Sequence, residues 1–338
     1  MLEVFRQGYP DDCLRPAVDW LLTHASPAVR LRTREWLLGE DPRAGPTSAC
    51  RPELSNDPVI VGLLEKQADD GSWGGPGFYG PRHRSTFYVL SVLAEMGATA
   101  SCAPPLGPAV ERAAVFSFAF QAANGEFYQY RRAEGGRPSS LAPVPCVTIR
   151  AATFLAALGY ADDPRIGRAV EYLLSIQRPD GSWSCMGRAM PRRYVSEKGC
   201  LGTAACFLAL AEQVPHLLAG HPSTHAAAEF TERLYMRNPR GFHVADTWRV
   251  LLYPYYHFPM DLAETGRLLL AVLGPTGRVE EGVRFCLAKR RPEDGLWGSD
   301  GHPPRPPVPP GRKGQPHPWV TLRVLRFILA HIRACGRG

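Results

Sequence analysis

Residues able to bind a metal or move a proton gather in short polar stretches of this sequence, each just ahead of an apolar helical segment. Cys146, Cys185, Cys200 and His257 form the candidate metal set. Three thiolates and one imidazole make a tetrahedral zinc donor set if they converge, and an open position on zinc binds a thiolate or water. The competing reading is that Cys146, Cys200 and Cys206 are small buried hydrophobes at packing points, as free cysteine commonly is. Asp261, with Tyr256 and His257 just before it, is the candidate acid–base group, and Glu264 follows one turn later. A carboxylate in an apolar mouth has a raised pKa suited to proton donation. The same residue also reads as an ordinary helix-start acid that complements the helix dipole.

The aromatic run Trp248, Tyr253, Tyr255, Tyr256 and Phe258 is dense enough to line an apolar pocket, with Tyr79, Phe87 and Trp319 as companions. Ring faces stabilise a cation, although tyrosines near prolines also serve as loop packing. Arg84, Arg150 and Arg249 are candidates for gripping a diphosphate, because a planar guanidinium matches phosphate oxygens in bidentate fashion. Surface solvation is the ordinary role of arginine. Arg150 stands apart from it, lying four residues after Cys146 on an otherwise apolar stretch.

A recurring element must position these residues. An apolar helical stretch, a polar turn with glycine and then an aromatic residue occur five times, as LLEKQADDGSW, FAFQAANGEF, LLSIQRPDGSW, LYMRNPRGF and LAKRRPEDGLW. The glycines are Gly71, Gly125, Gly181, Gly241 and Gly295, with spacings of 54, 56, 60 and 54. Glycine ends each helix by taking the left-handed conformation, and the aromatic then folds back as a plug. After each turn comes a second, more apolar segment: Ser85 to Met96, Val147 to Leu158, Leu201 to Ala211, Leu262 to Leu273 and Val320 to Ile332. A helix that is apolar nearly all round is buried on both sides, whereas the first helix of each pair alternates faces. This predicts an all-α fold, an α/α toroid (α/α barrel) of about five to six helical hairpins with inner and outer helix rings. An open solenoid is the competing architecture. Residues 1–56, with WLLTHASPAVRLRTREWLL, are expected to cap and close the five-repeat body at 57–338, one structural domain in all. The inner helices then direct their N-termini, and with them the polar stretches, to one mouth.

Composition sets outer bounds. The 338 residues are 45% hydrophobic and 10% aromatic, a globular balance, and the formal charge is +7. The 39 basic residues are spread thinly against 32 acidic ones, so nucleic acid is not expected as a partner. No apolar run is long enough to span a membrane, which leaves peripheral contact open and predicts a cytoplasmic protein. Nine cysteines without a CxxC pair read as thiols. Walker, Rossmann, nucleophile-elbow and HExxH patterns are all missing from the sequence.

The strings QADDGSW, QRPDGSW and RPEDGLW resemble the Gln-Trp-type repeats of the terpene cyclase and protein prenyltransferase superfamily. PCVTIR, the DDPR after Gly159-Tyr160, the WSC at Trp183 and WRVLLYPYYHFPMDL resemble its small, single-toroid bacterial and archaeal prenyltransferase-like members. The resemblance implies a toroid and an apolar, isoprenoid substrate in its cavity, worked on by cyclisation or prenyl transfer. It also implies zinc at inner-helix starts, as in protein prenyltransferases, although this chain lacks their adjacent Asp-x-Cys pair. Class II cyclases protonate an alkene with the middle acid of an Asp-x-Asp-Asp string. Here Asp11-Asp12, Asp69-Asp70 and Asp162-Asp163 are plain pairs, and the second toroid of triterpene cyclases is missing. The alternatives are a non-catalytic lipid- or peptide-binding scaffold and a zinc-thiolate enzyme acting on a non-isoprenoid substrate.

Overall fold

A computed structural model describes residues 11–41, 51–81, 83–129, 144–184, 199–237, 261–300 and 312–336. These are all-α. Thirteen α-helices run in order: α1 Asp11–His24, α2 Pro27–Trp36, α3 Pro58–Leu64, α4 Thr86–Met96, α5 Leu106–Phe118, α6 Pro145–Leu155, α7 Pro164–Ser175, α8 Leu201–Gln213, α9 Pro215–Leu218, α10 Pro222–Leu234, α11 Leu262–Leu273, α12 Gly277–Ala288 and α13 Pro318–Cys335. No strand occurs among the described residues, only isolated bridges between Gln121 and Phe127 and between Gly298 and Pro316. The five apolar segments read from the sequence are α4, α6, α8, α11 and α13, and the N-terminal segment is the pair α1 and α2.

The described helices fall into two compact units. One spans Ile60–Leu234 and the other lies within Met1–Val59, Tyr235–Arg237 and Ala245–Gly338.

In the first unit α6 packs between α4 and α8, and α5, α7 and α10 each flank one of the three. The pattern of side chains explains this order. In α4 every residue except Ser91 and Glu95 is buried, whereas α7 buries only the stripe Ile166, Ala169, Val170 and Leu173. A helix with one apolar stripe belongs on the outside of a helix that is apolar nearly all round. The turns hold the rows together. Trp73 and Trp183 fold back and donate their indole N–H to the carbonyls of Leu63 and Leu173, at 2.7 and 2.9 Å. The backbone N–H of Trp73 and that of Phe127 donate to the hydroxyls of Thr86 and Thr148 on the next apolar helix, at 2.9 and 3.0 Å. Gly125 has φ +92, and a Cβ on it would lie 2.1 Å from the Arg168 carbonyl oxygen, so only glycine allows this turn to back onto α7.

In the second unit α11 packs on α12 and α13, while α1 and α2 both pack on α13. The turn between α12 and α13 repeats the same contacts: Trp297 donates from its ring to Cys286 O at 2.7 Å and from its backbone to the Thr321 hydroxyl at 3.1 Å. Tyr235 is fully buried and its hydroxyl donates to the Leu262 carbonyl at 2.8 Å. A Cβ at Gly266 would come within 2.5 Å of that hydroxyl, so the missing side chain makes the slot for the ring.

Candidate active site

The second unit buries four charged side chains, Asp261, Glu264, Arg267 and Arg323, where α11 meets α13, with the half-buried Arg326 beside them. Asp261 is the N-cap, with φ -73 and ψ 158, and its Oδ1 accepts from the Glu264 N–H at 2.7 Å. Its Oδ2 accepts from Arg323 of α13. Asp261 and Arg323 are each 4% exposed. One turn on, Glu264 accepts from Arg267 at 2.6 and 3.1 Å and faces Arg326 at 3.6 Å. Asp261 meets Arg323 and Glu264 meets Arg326, so partners three residues apart on α11 pair with partners three residues apart on α13. The two helices therefore run parallel, the direction required of two inner helices. Beyond Arg326 lies Trp36 of α2: the Arg326 guanidinium stands 4.1 Å from its ring centre and that of Arg32 stands 4.9 Å from it.

Burying a charge is expensive unless it is paired, and the two carboxylates respond in opposite ways. Burial pushes the Asp261 carboxyl above the usual aspartate range, and the opposing pull of Arg323 and the Glu264 N–H does not cancel it. Burial acts in the same sense on Glu264, but Arg267 and Arg326 outweigh it and hold this carboxyl well below its usual value. A pair of carboxyls driven apart by their surroundings divides into a proton-holding member and an ionised member. Burial makes Asp261 the weaker acid of the two, and the arginines make Glu264 the stronger. Tyr235 and Cys286 complete the surroundings of Asp261, whose charge helps to raise their own pKa values beyond the effect of burial.

Trp319, in the first turn of α13, is buried in this unit. Trp248, Arg249, Tyr253, Tyr255, Tyr256, His257 and Phe258 lie outside the described residues, as does Cys185 of the other unit.

In the first unit Cys146 begins α6, Cys200 is the N-cap of α8 and Cys206 is buried two turns into α8. Burial raises the Cys146 thiol, and the charge influence of Cys200 and Cys206 raises it further, in keeping with the packing of α6 on α8. Cys206 is pushed up to about 12 by burial, against the pull of Arg150. Arg150 is a buried cation on α6. Among the described residues no three histidine, cysteine, aspartate or glutamate side chains are arranged to hold a metal ion. Phe87 is core, 5.4 Å from Phe78, 5.1 Å from Tyr79 and 5.2 Å from Phe154 between ring centres. Tyr79 is half-buried and Arg84 is exposed. Asp70 accepts from Ser72 N–H in the turn before α4 and Asp163 caps α7, so these acids have the structural roles their sequence positions suggest.

Arg267, Arg323, Arg326 and Trp36 are the members of the buried cluster not singled out in the sequence. A signal for two of them exists: Thr148-Ile149-Arg150, Thr265-Gly266-Arg267 and Thr321-Leu322-Arg323 place arginine at the same step of three apolar helices. The signature that set Arg150 apart therefore applies twice more.

No protein-family model matches the chain, and no characterised protein matches it by sequence. Among solved structures it is similar to the type II terpene cyclase MstE from Scytonema without ligand, at 14% identity and a TM-score of 0.33, over 85% of this chain and 98% of that one. A variant of that cyclase with its product, merosterolic acid A, gives 13% identity and a TM-score of 0.34 over 92% and 99%. Another variant, holding its substrate geranylgeranyl dihydroxybenzoate, gives 13% and 0.33 over the same shares.

Proposed function

We propose that this chain is a terpene cyclase- or prenyltransferase-like enzyme that takes an apolar, isoprenoid substrate and uses Asp261 as its acid. The observation that supports this reading is the divergence of Asp261 and Glu264, one carboxyl raised by burial and the other lowered by its arginines, at the start of a helix buried on nearly every face. In such a site Asp261 donates a proton to an alkene or to a leaving group, and the ionised Glu264 supplies negative charge one turn away. Tyr256 and His257 are the proposed partners in that proton transfer. The aromatics Trp248, Tyr253, Tyr255, Phe258, Tyr79 and Trp319 are proposed to line the apolar path, and Arg84, Arg150 and Arg249 to meet an anionic end of the substrate. Phe87 contributes to that path as packing beneath Tyr79.

Zinc on Cys146, Cys185, Cys200 and His257 is a separable part of the proposal. Of the described members, Cys146 and Cys200 stand at the starts of two packed helices, and no three donors among the described residues are arranged to hold a metal, so no step is assigned to zinc. Metal analysis of the purified protein decides it, with one zinc per chain expected and loss on Cys146→Ser with Cys200→Ser.

The decisive experiment is incubation with geranyl, farnesyl and geranylgeranyl diphosphates and product analysis by mass spectrometry, with Asp261→Asn alongside. New products that vanish in Asp261→Asn are the expected result. A second reading, a non-catalytic scaffold that holds a lipid or peptide, is favoured by the occupation of both Asp261 oxygens within the protein. Retained lipid without turnover would establish it.

A further inference from the structure

Capping α11 requires one acceptor oxygen, and Asp261 has two. Elsewhere Ser85 and Thr276 cap α4 and α12 with a single hydroxyl, accepting from Tyr88 N–H at 3.4 Å and Val279 N–H at 3.3 Å, and the carboxylate cap of α7, Asp163, meets only the partly exposed Arg165 two residues on. At α11 the cap is a carboxylate, and its second oxygen is taken by an arginine 62 residues later in the chain. Two ions are buried where a neutral hydroxyl would cap the helix, and a buried ion pair is generally no more stabilising than apolar or neutral groups of the same size. Capping alone therefore leaves Arg323 unexplained. What Arg323 adds is direction: with the Glu264 N–H on Oδ1 and the Arg323 Nη1 on Oδ2, two directed donors fix the plane in which the carboxyl lies.

From this geometry we infer that Arg323 is a positioning residue for Asp261, holding its carboxyl in one orientation at the mouth of α11 while Arg267 and Arg326 hold Glu264 one turn below. The inference rests on Asp261 being the acid. The groups that face Asp261 are Glu264 on its own helix, Arg323 on α13, Cys286 on α12 and the hydroxyl of Tyr235. Of these only Arg323 carries a positive charge onto the carboxyl oxygen. Removing it leaves burial and Glu264 acting in the same direction, so the Asp261 proton is held to higher pH. An acid works in its protonated form, so the high-pH limb of turnover moves up with it.

The test follows the Asp261 carboxyl directly, by NMR of protein labelled with ¹³C at aspartate carboxyls, and turnover of geranylgeranyl diphosphate against pH in parallel. Asp261→Asn identifies the Asp261 signal. In Arg323→Met the Asp261 midpoint is expected to rise by about 1–3 pH units, with the high-pH limb moving by the same amount. Arg323→Lys keeps the charge and loses the planar guanidinium that directs the Nη1 contact. It is expected to hold the limb near its wild-type position while kcat falls roughly 10- to 100-fold from misorientation. An unmoved Asp261 midpoint in Arg323→Met overturns the inference, as does wild-type kcat in Arg323→Lys, which also decides the matter if Arg323→Met does not fold. Full turnover in Asp261→Asn instead removes the acid reading itself, so the two failures are distinct.

Discussion

Gln67 and Ala109 are joined across 42 residues by one side-chain amide. It donates to the Ala109 carbonyl at 2.8 Å and to the Gly71 carbonyl at 3.2 Å. Gln121 does the same to Arg165 and Gly125, at 2.8 and 2.9 Å, and Gln177 to Ser223 and Gly181, at 3.0 and 3.1 Å. Each glutamine thus closes its own glycine turn and ties it to the start of the next outer helix. In the turn after α12 the corresponding residue is Arg290, which donates to its own Gly295 carbonyl at 3.0 Å.

Replacing Gln121 with leucine removes both donors and leaves the two carbonyls without this partner. The cost expected is about 1–3 kcal/mol, the penalty for stranding half-buried polar groups. Gln177→Leu should cost a similar amount, and urea denaturation measures both. Unchanged midpoints would mean that the clasp is incidental to stability.

Gly125→Ala and Gly62→Ala should move stability in opposite directions. At Gly125 the φ of +92 and the nearby Arg168 carbonyl both reject a methyl group, so a loss above about 1 kcal/mol is expected. Gly62 sits inside α3 with nothing within 4 Å of a built Cβ. Alanine there improves helix propensity and is expected to add up to about 1 kcal/mol. Thermal denaturation of the two variants beside the parent checks the signs.

Glu264→Gln removes the acceptor charge shared by Arg267 and Arg326 and leaves the buried Arg267 and the half-buried Arg326 beside a neutral amide. Breaking a buried ionic cluster from one side costs about 3–5 kcal/mol. Because Arg326 also stands over Trp36, part of the loss should register on α2 as faster amide hydrogen exchange between Pro27 and Trp36. Exchange confined to α11 would show that the cluster does not brace the N-terminal pair.

The helices were legible because their signal is local. Glycine-aromatic turns at a steady interval and segments apolar on every face located α4, α6, α8, α11 and α13 within a few residues. Asp261 was legible for the same reason, being a lone acid at the head of such a segment. Its partner was not, because the pairing of Asp261 with Arg323 depends on two helices lying side by side, and nothing near either residue encodes that. The recurring Thr-x-Arg step marks Arg267 and Arg323 as buried cations without saying which carboxylates they meet. Equivalent helix starts marked Cys146 and Cys200 as candidates for one site. Cys206, six residues beyond Cys200 along one helix, is buried core, as the packing reading of the cysteines expects.

The two carboxyls of α11 should also leave opposite marks on stability against pH. The folded pKa of Glu264 lies below its unfolded value, so the folded state binds fewer protons there, and stability gained from Arg267 and Arg326 is lost as pH falls through about 4.3 and below. The folded pKa of Asp261 lies above its unfolded value, so between about 3.9 and that raised value the folded state binds more protons, and stability declines as pH rises. Urea midpoints measured at closely spaced pH should therefore show the acid-side slope flattened in Glu264→Gln and the decline above about 4 removed in Asp261→Asn. If Asp261→Asn instead flattened the acid side, its carboxyl would be ionised in the folded protein down to low pH. The division of labour between the two acids would then be lost.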